Sequence, residues 1–238
     1  MRNWYDFFTH IKAQGFDPAT VVDVGVATDT EELYQHFPSA QYLFVEPLAE
    51  FEPSLQQLCQ RYNGTYMLAA AGATDGELTI HVSPDLGGTS KFELVNAEIF
   101  NMKPRTVPQF AIDTLWKALN LSGPALLKID VQGAELEVLK GAKKSLNNFE
   151  VIVLEVGLTE VYVGQPIFHD YIAFMAERDY VVYDIIHTGY ADTGMLCQID
   201  LVFVKRNGQF RQDMRSVVDE EKARGLNQYK GITRNDNL

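Results

Sequence analysis

The residues whose types and spacing most directly suggest chemistry lie in Leu126–Ala142, LLKIDVQGAELEVLKGA. Lys128 and Asp130 alternate there with leucine and isoleucine. On a strand, period-two geometry puts both on one side at the carboxyl end. Opposite charges closing an otherwise apolar strand are costly unless they pair or act. Acting, Asp130 would take or position a proton, and Lys128 would stabilise a developing negative charge. Glu155, ending the run VIVLE one strand over, is a second carboxylate for the same proton. Pairing, Lys128 and Asp130 would be a structural ion pair anchoring the strand to the following helix. A further alternative has Asp130 and Glu155 holding a divalent cation with the acceptor oxygens. The metal-free arrangement is preferred.

A second constellation lies earlier. Asp23-Val24-Gly25 ends the first apolar run, where an open α/β sheet places its ligand beyond the strand ends, and the glycine lets a bulky group approach the backbone. Thr28 and Glu31 have capping-box spacing at the start of the next helix. Glu46 closes the second run about 20 residues beyond Gly25, the separation at which a carboxylate meets the ribose hydroxyls of a bound nucleoside. Alternatively, the glycine is an ordinary tight turn and Glu46 a solvated charge. A nicotinamide cofactor would need the full G-x-G-x-x-G for its pyrophosphate. The turn here reads Gly25-Val26-Ala27-Thr28-Asp29-Thr30, with an acid that opposes phosphate. S-adenosylmethionine has no phosphate and carries a positive sulfonium, so this turn tolerates it. An NAD(P)-dependent oxidoreductase on the same fold is the first alternative. A non-catalytic Rossmann-like binding protein, supported only by Asp29, is the second.

These residues need a frame. Seven apolar, β-branched segments are each a strand candidate: Val21–Val26, Tyr42–Glu46, Tyr66–Ala71, Ala125–Asp130, Val151–Glu155, Tyr180–Ile185 and Ile199–Lys205. Helical spacing over Glu31–Phe37, Phe51–Tyr62, Thr114–Leu119, Ala134–Leu146 and Phe168–Arg178 falls between them. The alternation predicts an α/β domain around a mostly parallel seven-stranded sheet, with the last two strands as an antiparallel hairpin. Residues 75–108 interrupt the rhythm as a polar insert near the substrate, with an extra strand at Gly76–Ser83 and a turn at Leu86–Ser90. One domain over 1–206 is expected, followed by a polar tail over 207–238.

Composition narrows the partners. A content of 46% hydrophobic residues fills one α/β core, and no run approaches the roughly 18 apolar residues of a membrane span. The N-terminal residues lack the pattern of a secretory leader. Two cysteines without metal spacing fit a reducing, cytoplasmic setting. A net charge of −12 repels a phosphate backbone, which disfavours nucleic acid. The scattered histidines form no metal motif. His187 is the one to test as a base, with a solvated loop position as the plainer account. Tyr162, Phe168, Tyr171 and Phe174 read mainly as core at helical spacing.

The run Lys128-Ile-Asp130-Val-Gln-Gly133-Ala-Glu135 closely resembles the K-x-D-x-x-G-x-E signature of the FkbM-type methyltransferases. The resemblance extends over Val21 to Ile185, through the first-strand DVG, Val45-Glu46-Pro47, the Ala69–Gly76 run with its Asp75-Gly76 turn, Gly88-Thr89-Ser90, Asp113-Thr114-Leu115 and Leu154-Glu155. It implies a single Rossmann-like class I methyltransferase domain using S-adenosylmethionine to O-methylate hydroxyls of small molecules, sugars or glycolipids. A homodimer is allowed. The cofactor-binding set is then Asp23, Gly25, Glu46 and Ala71, and the catalytic set Asp130, Lys128 and Glu155, with no metal ligands. The family's first loop usually carries a second glycine where this chain has Asp29, so a side chain is expected to crowd the cofactor there.

Overall fold

The computed structural model describes residues 1–95 and 101–211. The main sheet has seven strands: β1 Thr20–Val24, β2 Gln41–Val45, β3 Gly64–Met67, β7 Ala125–Ile129, β8 Phe149–Gly157, β9 Tyr180–Tyr190 and β10 Leu196–Lys205. Their order is β3-β2-β1-β7-β8-β10-β9. Pairing is parallel from β3 through β8, and β10 runs antiparallel to both β8 and β9. Every residue of β1 and β7 is buried, as in a parallel sheet covered on both faces.

Alternate residues of these strands feed two cores. On one face Val22, Val24, Leu127 and Ile129 pack under α4 Ile112–Ala118, α5 Glu135–Gly141 and α6 Phe168–Ala176. On the other, Val21 and Leu126 pack under α1 Trp4–Ala13, α2 Glu31–His36 and α3 Glu52–Arg61. Helix α1 was not anticipated from the sequence. Asn3 caps it through Asp6 N–H at 2.8 Å, and it buries Phe7, Phe8 and Ile11 completely.

Three expectations need correction. Tyr66–Ala71 is not one strand. The chain bends at Leu68 and Ala69, and Ala70–Ala71 leaves the main sheet as β4. The insert is more ordered than a loop with one strand. Its β5 Gly76–Val82 pairs with β6 Lys103–Phe110, and β4-β6-β5 form a second sheet over its own small core of Leu48, Ala70, Ile80, Val82 and Val107. The expected long helix over Ala134–Leu146 ends at Gly141. There α5 meets Gly72 so closely that a Cβ at Gly141 would sit 2.0 Å from the Gly72 carbonyl oxygen. Of the expected tail, residues 212–238 lie outside the described residues.

Candidate cofactor cleft and carboxylate pair

Beyond the carboxyl ends of β1, β2 and β7, a cavity of about 230 Å³ opens beneath the insert. That is just under the ~300–1,000 Å³ common for small-molecule sites. Gly25 forms part of its wall, with φ +75°, and a Cβ there would fall 1.7 Å from the Asp130 carbonyl oxygen. The DVG turn and the end of β7 are therefore in contact through a position only glycine fits.

Glu46 sits at the same wall, 4% exposed. One carboxylate oxygen accepts the Ala27 N–H at 3.0 Å and the other the Leu48 N–H at 2.9 Å. A carboxylate has about four acceptor positions, so it retains capacity for two hydroxyls. Burial raises its pKa against the pull of those two N–H groups and Lys128. Leu48, Phe51, Ala71, Leu78 and Ile80 supply an apolar lining for a flat base. These features fit an adenosyl group.

Of the expected cofactor-binding set, Gly25, Glu46 and Ala71 line the cleft, and Asp23 does not. Asp23 is fully buried behind the turn. Its carboxylate accepts from the hydroxyls of Thr30 at 2.9 Å and Tyr34 at 2.5 Å, and lies 3.1 Å from Lys128 Nζ. Asp23 and Lys128 are register partners across β1 and β7, so the pair is fixed by the sheet itself. Lys128 also donates to the Gly25 carbonyl at 2.7 Å. Although burial works against its charge, the Asp23 and Asp130 carboxylates outweigh that and hold its pKa above the ordinary value. Lys128 is on neither cavity wall. The structural ion pair is real, but it joins Lys128 to Asp23, with Asp130 more distant at 3.9 Å. The lysine holds the glycine turn from beneath.

The capping box expected from Thr28 and Glu31 is not formed. Thr30 is the N-cap residue of α2, and Asp29 accepts the Glu31 N–H at 3.3 Å. Asp29 is exposed and faces a separate surface depression with Arg61, while Ala27, at φ +48°, lines the cleft. The expected crowding of the cofactor by Asp29 is therefore absent.

Asp130 lines the cleft with its side chain 38% exposed. Glu155 lines a neighbouring cavity of about 40 Å³ with Gly157, Tyr162, Gln165 and Gln198. The Gln132 amide nitrogen donates to both carboxylates, at 3.0 Å to Asp130 and 2.7 Å to Glu155, and Gln198 donates to the other Glu155 oxygen at 2.6 Å. The Gln132 amide thus takes the position between the carboxylates that a shared cation would need. Burial, reinforced by the Asp130 and Glu135 carboxylates, holds the Glu155 pKa well above the usual range. No group of three or more His, Cys, Asp or Glu side chains able to hold a metal occurs among the described residues.

Glu135, the last residue of the K-x-D-x-x-G-x-E run, was not anticipated as a site residue. It is 1% exposed and accepts from the N–H groups of Val131 and Gly133, each at 3.1 Å, and from the Tyr171 hydroxyl at 2.6 Å. Burial pushes its pKa up to about 7. It shapes the loop that presents Asp130 and Gln132. Asp75 and Asp113, in other segments of the resemblance, are likewise structural. Asp75 accepts from Ala111 N–H and Thr114 Oγ1 at the start of α4, and Asp113 from the N–H groups of Lys144 and Ser145.

The remaining candidates fall outside the cleft. His187 lies within β9, half-exposed, 3.6 Å from Asp200. Of the four aromatics read as one core stripe, Tyr171 is fully buried, Phe174 packs at the core edge and Phe168 is partly exposed. Tyr162 precedes the helix and donates to the Gly88 carbonyl at 3.0 Å.

A doubly covered sheet of order 3-2-1-7-8-10-9 with one reversed strand, and an acid closing β2 beside a glycine turn, defines a class I, Rossmann-like methyltransferase domain. The family model for the methyltransferase FkbM domain matches residues 15–182, and the chain belongs to that family. Its members are S-adenosylmethionine-dependent, and S-adenosylmethionine is the cofactor of this chain. No curated protein sequence matches the chain. Similar solved structures include the precorrin-6y C5,15-methyltransferase of Geobacter metallireducens, at 13% identity over 84% of this chain and 88% of that one, with TM-score 0.43. The magnesium protoporphyrin IX methyltransferase of Synechocystis, with bound SAM, is 13% identical over 85% and 77%, with TM-score 0.46. Fibrillarin of Aeropyrum pernix, with natively bound S-adenosyl-L-methionine, is 13% identical over 85% and 76%, with TM-score 0.46.

Proposed function

We propose that this methyltransferase acts on a hydroxyl oxygen of a small molecule, sugar or glycolipid, with Asp130 receiving the acceptor's proton. The observation that carries the reading is the position of Asp130 on the wall of the same cleft as Gly25 and Glu46. S-adenosylmethionine, when bound, supplies an electrophilic methyl group. Gly25, Glu46 and Ala71 would hold its adenosyl part. An O–H acceptor must be aligned and must lose a proton, and a partly exposed carboxylate at the strand end serves both needs. Glu155, reached from Asp130 through the Gln132 amide, keeps the second carboxyl near without a second full charge.

Asp130→Asn keeps the shape and removes the base. Methyl transfer to a hydroxyl acceptor is expected to fall by about 10²–10⁴-fold, with S-adenosylhomocysteine affinity nearly unchanged in calorimetric titration. Full transfer by the variant would end the assignment, and transfer to nitrogen or carbon acceptors in preference to hydroxyls would end the substrate class. The reading also places the chain in the cytoplasm, where its free Cys59 and Cys197 stay reduced. Recovery from an exported fraction counts against that.

A further inference from the structure

Gln132 stands in the wall shared by the two cavities, and the reaction as outlined gives it no part beyond proximity. Its backbone has φ +54°, a region that side-chain-bearing residues seldom occupy without a reason in the surrounding structure. Its two amide protons suffice for one hydrogen bond to Asp130 and one to Glu155. The other end of the same amide, Oε1, accepts from the Tyr162 hydroxyl at 3.2 Å, and that hydroxyl also reaches the Gly88 carbonyl. The Gln132 backbone carbonyl accepts from Ser90 Oγ at 2.6 Å. Gly88 and Ser90 belong to the turn of the insert that covers the cleft, which Gly87, Thr89 and Ser90 line together with Gly25. One residue therefore touches the cover directly through Ser90, touches it again through Tyr162, and touches both carboxylates.

We propose that Gln132 is a positioning residue that makes the alignment of Asp130 and Glu155 depend on the cover lying against the β7 loop. An amide can present its nitrogen or its oxygen to a carboxylate, and only the nitrogen is attractive. Tyr162, sharing its one hydroxyl proton between the Gly88 carbonyl at 3.0 Å and Oε1 at 3.2 Å, favours the orientation that sends the nitrogen to the acids. Ser90 fixes the carbonyl of the strained loop from which the side chain departs. With the cover lifted, both constraints are lost and the carboxylates lose their common donor. The role rests on the proton-accepting part given to Asp130, but it can be read without turnover.

The test is carbon-13 NMR titration of the Asp and Glu side-chain carboxyls in the full-length, ligand-free protein, for wild type, Gln132→Leu and Ser90→Ala. Glu155 also faces Lys128 from β7, Glu135 from α5, Asp200 from β10 and Tyr162. These groups are common to all three samples. A hydrogen bond to a charged carboxylate lowers its pKa, so its removal raises it. Gln132→Leu is expected to raise the Glu155 midpoint by about one pH unit. Ser90→Ala, whose lost hydroxyl meets only the Gln132 carbonyl and the Phe92 N–H among the described residues, is expected to move the Glu155 midpoint the same way by a smaller amount. A Ser90→Ala midpoint equal to wild type would show the cover and the carboxylates to be independent and would overturn the proposal. An unchanged midpoint in a folded Gln132→Leu would do the same, and if that variant does not fold, Ser90→Ala decides alone. A separate calorimetric titration with S-adenosylhomocysteine tests the cofactor reading. Its failure would count against methyl transfer and leave the Glu155 midpoint to judge the coupling.

Discussion

Glu46 accepts one backbone N–H on each carboxylate oxygen, and this fixes both its orientation and what a substitution does. Glu46→Gln keeps the size, but it must turn an NH₂ group toward either Ala27 N–H or Leu48 N–H. It also weakens any hydrogen bond to a ribose hydroxyl from charge-assisted to neutral. A charge-assisted bond contributes about 1.5–3 kcal/mol, so the dissociation constant for S-adenosylhomocysteine should rise by roughly 10–100-fold. Calorimetric titration of the variant measures this directly, and wild-type affinity would show that Glu46 does not meet the adenosyl group. Lys128 carries a different lesson at the same scale. Its residue type and strand position suggested reaction chemistry, yet its ammonium is committed to Asp23 and the Gly25 carbonyl.

At the scale of elements, the cleft depends on how closely the β1 turn meets the end of β7. Lys128 supports that contact from below, Asp130 N–H donates to the Val24 carbonyl at 3.0 Å, and Gly25 makes the approach sterically feasible. Gly25→Ala would drive a methyl group into the Asp130 backbone at positive φ, so the turn must move away from β7. A loss of at least about 3 kcal/mol is expected, in the range reserved for backbone strain and core disruption. Urea unfolding checks it, and a change under 1 kcal/mol would mean that the two elements are not in tight contact. Much of the element layout was legible because periodicity reports burial: six of the seven main-sheet strands fall on apolar runs read from the sequence. The third was misplaced because Tyr66–Ala71 is apolar across a bend, and composition does not register a change of sheet. Strand β6 escaped notice because its burial pattern is largely exposed, leaving little apolar alternation. Helix α1 lies outside the βα alternation that the sequence pattern reports, although its Phe7, Phe8 and Ile11 have helical spacing.

For the whole molecule, the buried acids set the response to pH. Glu46, Glu135, Glu155 and Asp200 all have pKa values raised, in each case first by burial. An acid whose folded pKa exceeds its unfolded value contributes stability fully below the unfolded value and loses it as pH rises through the folded one. For Glu135 this window runs from 4.5 to about 7, on the order of 3 kcal/mol. The net charge of −12 acts in the same direction, since self-repulsion grows as acids ionise. His10, whose pKa is lowered by burial, opposes it from a partly exposed position. The urea midpoint is therefore expected to be higher at pH 5.5 than at pH 8, and Glu135→Gln should flatten the difference. A wild-type midpoint that increases between those two values would contradict the assignment of buried acids with raised pKa values.

The amino-acid order by itself determined the α/β class, the parallel sheet with its closing hairpin, the glycine turn, and the acids at the ends of β2 and β7. These follow from local patterns, because alternation and strand-end position are properties of neighbouring residues. Which charged groups face the cleft was decided by tertiary structure. Asp23 and Lys128 are brought into register by two strands about a hundred residues apart and form an ion pair in the interior. Asp29 turns to the surface, where it accepts the Glu31 N–H. Gln132 becomes the link between cover and carboxylates only because Ser90 and Tyr162 arrive from distant segments. A side chain's partners are set by long-range packing, and residue type and spacing along the chain do not encode them.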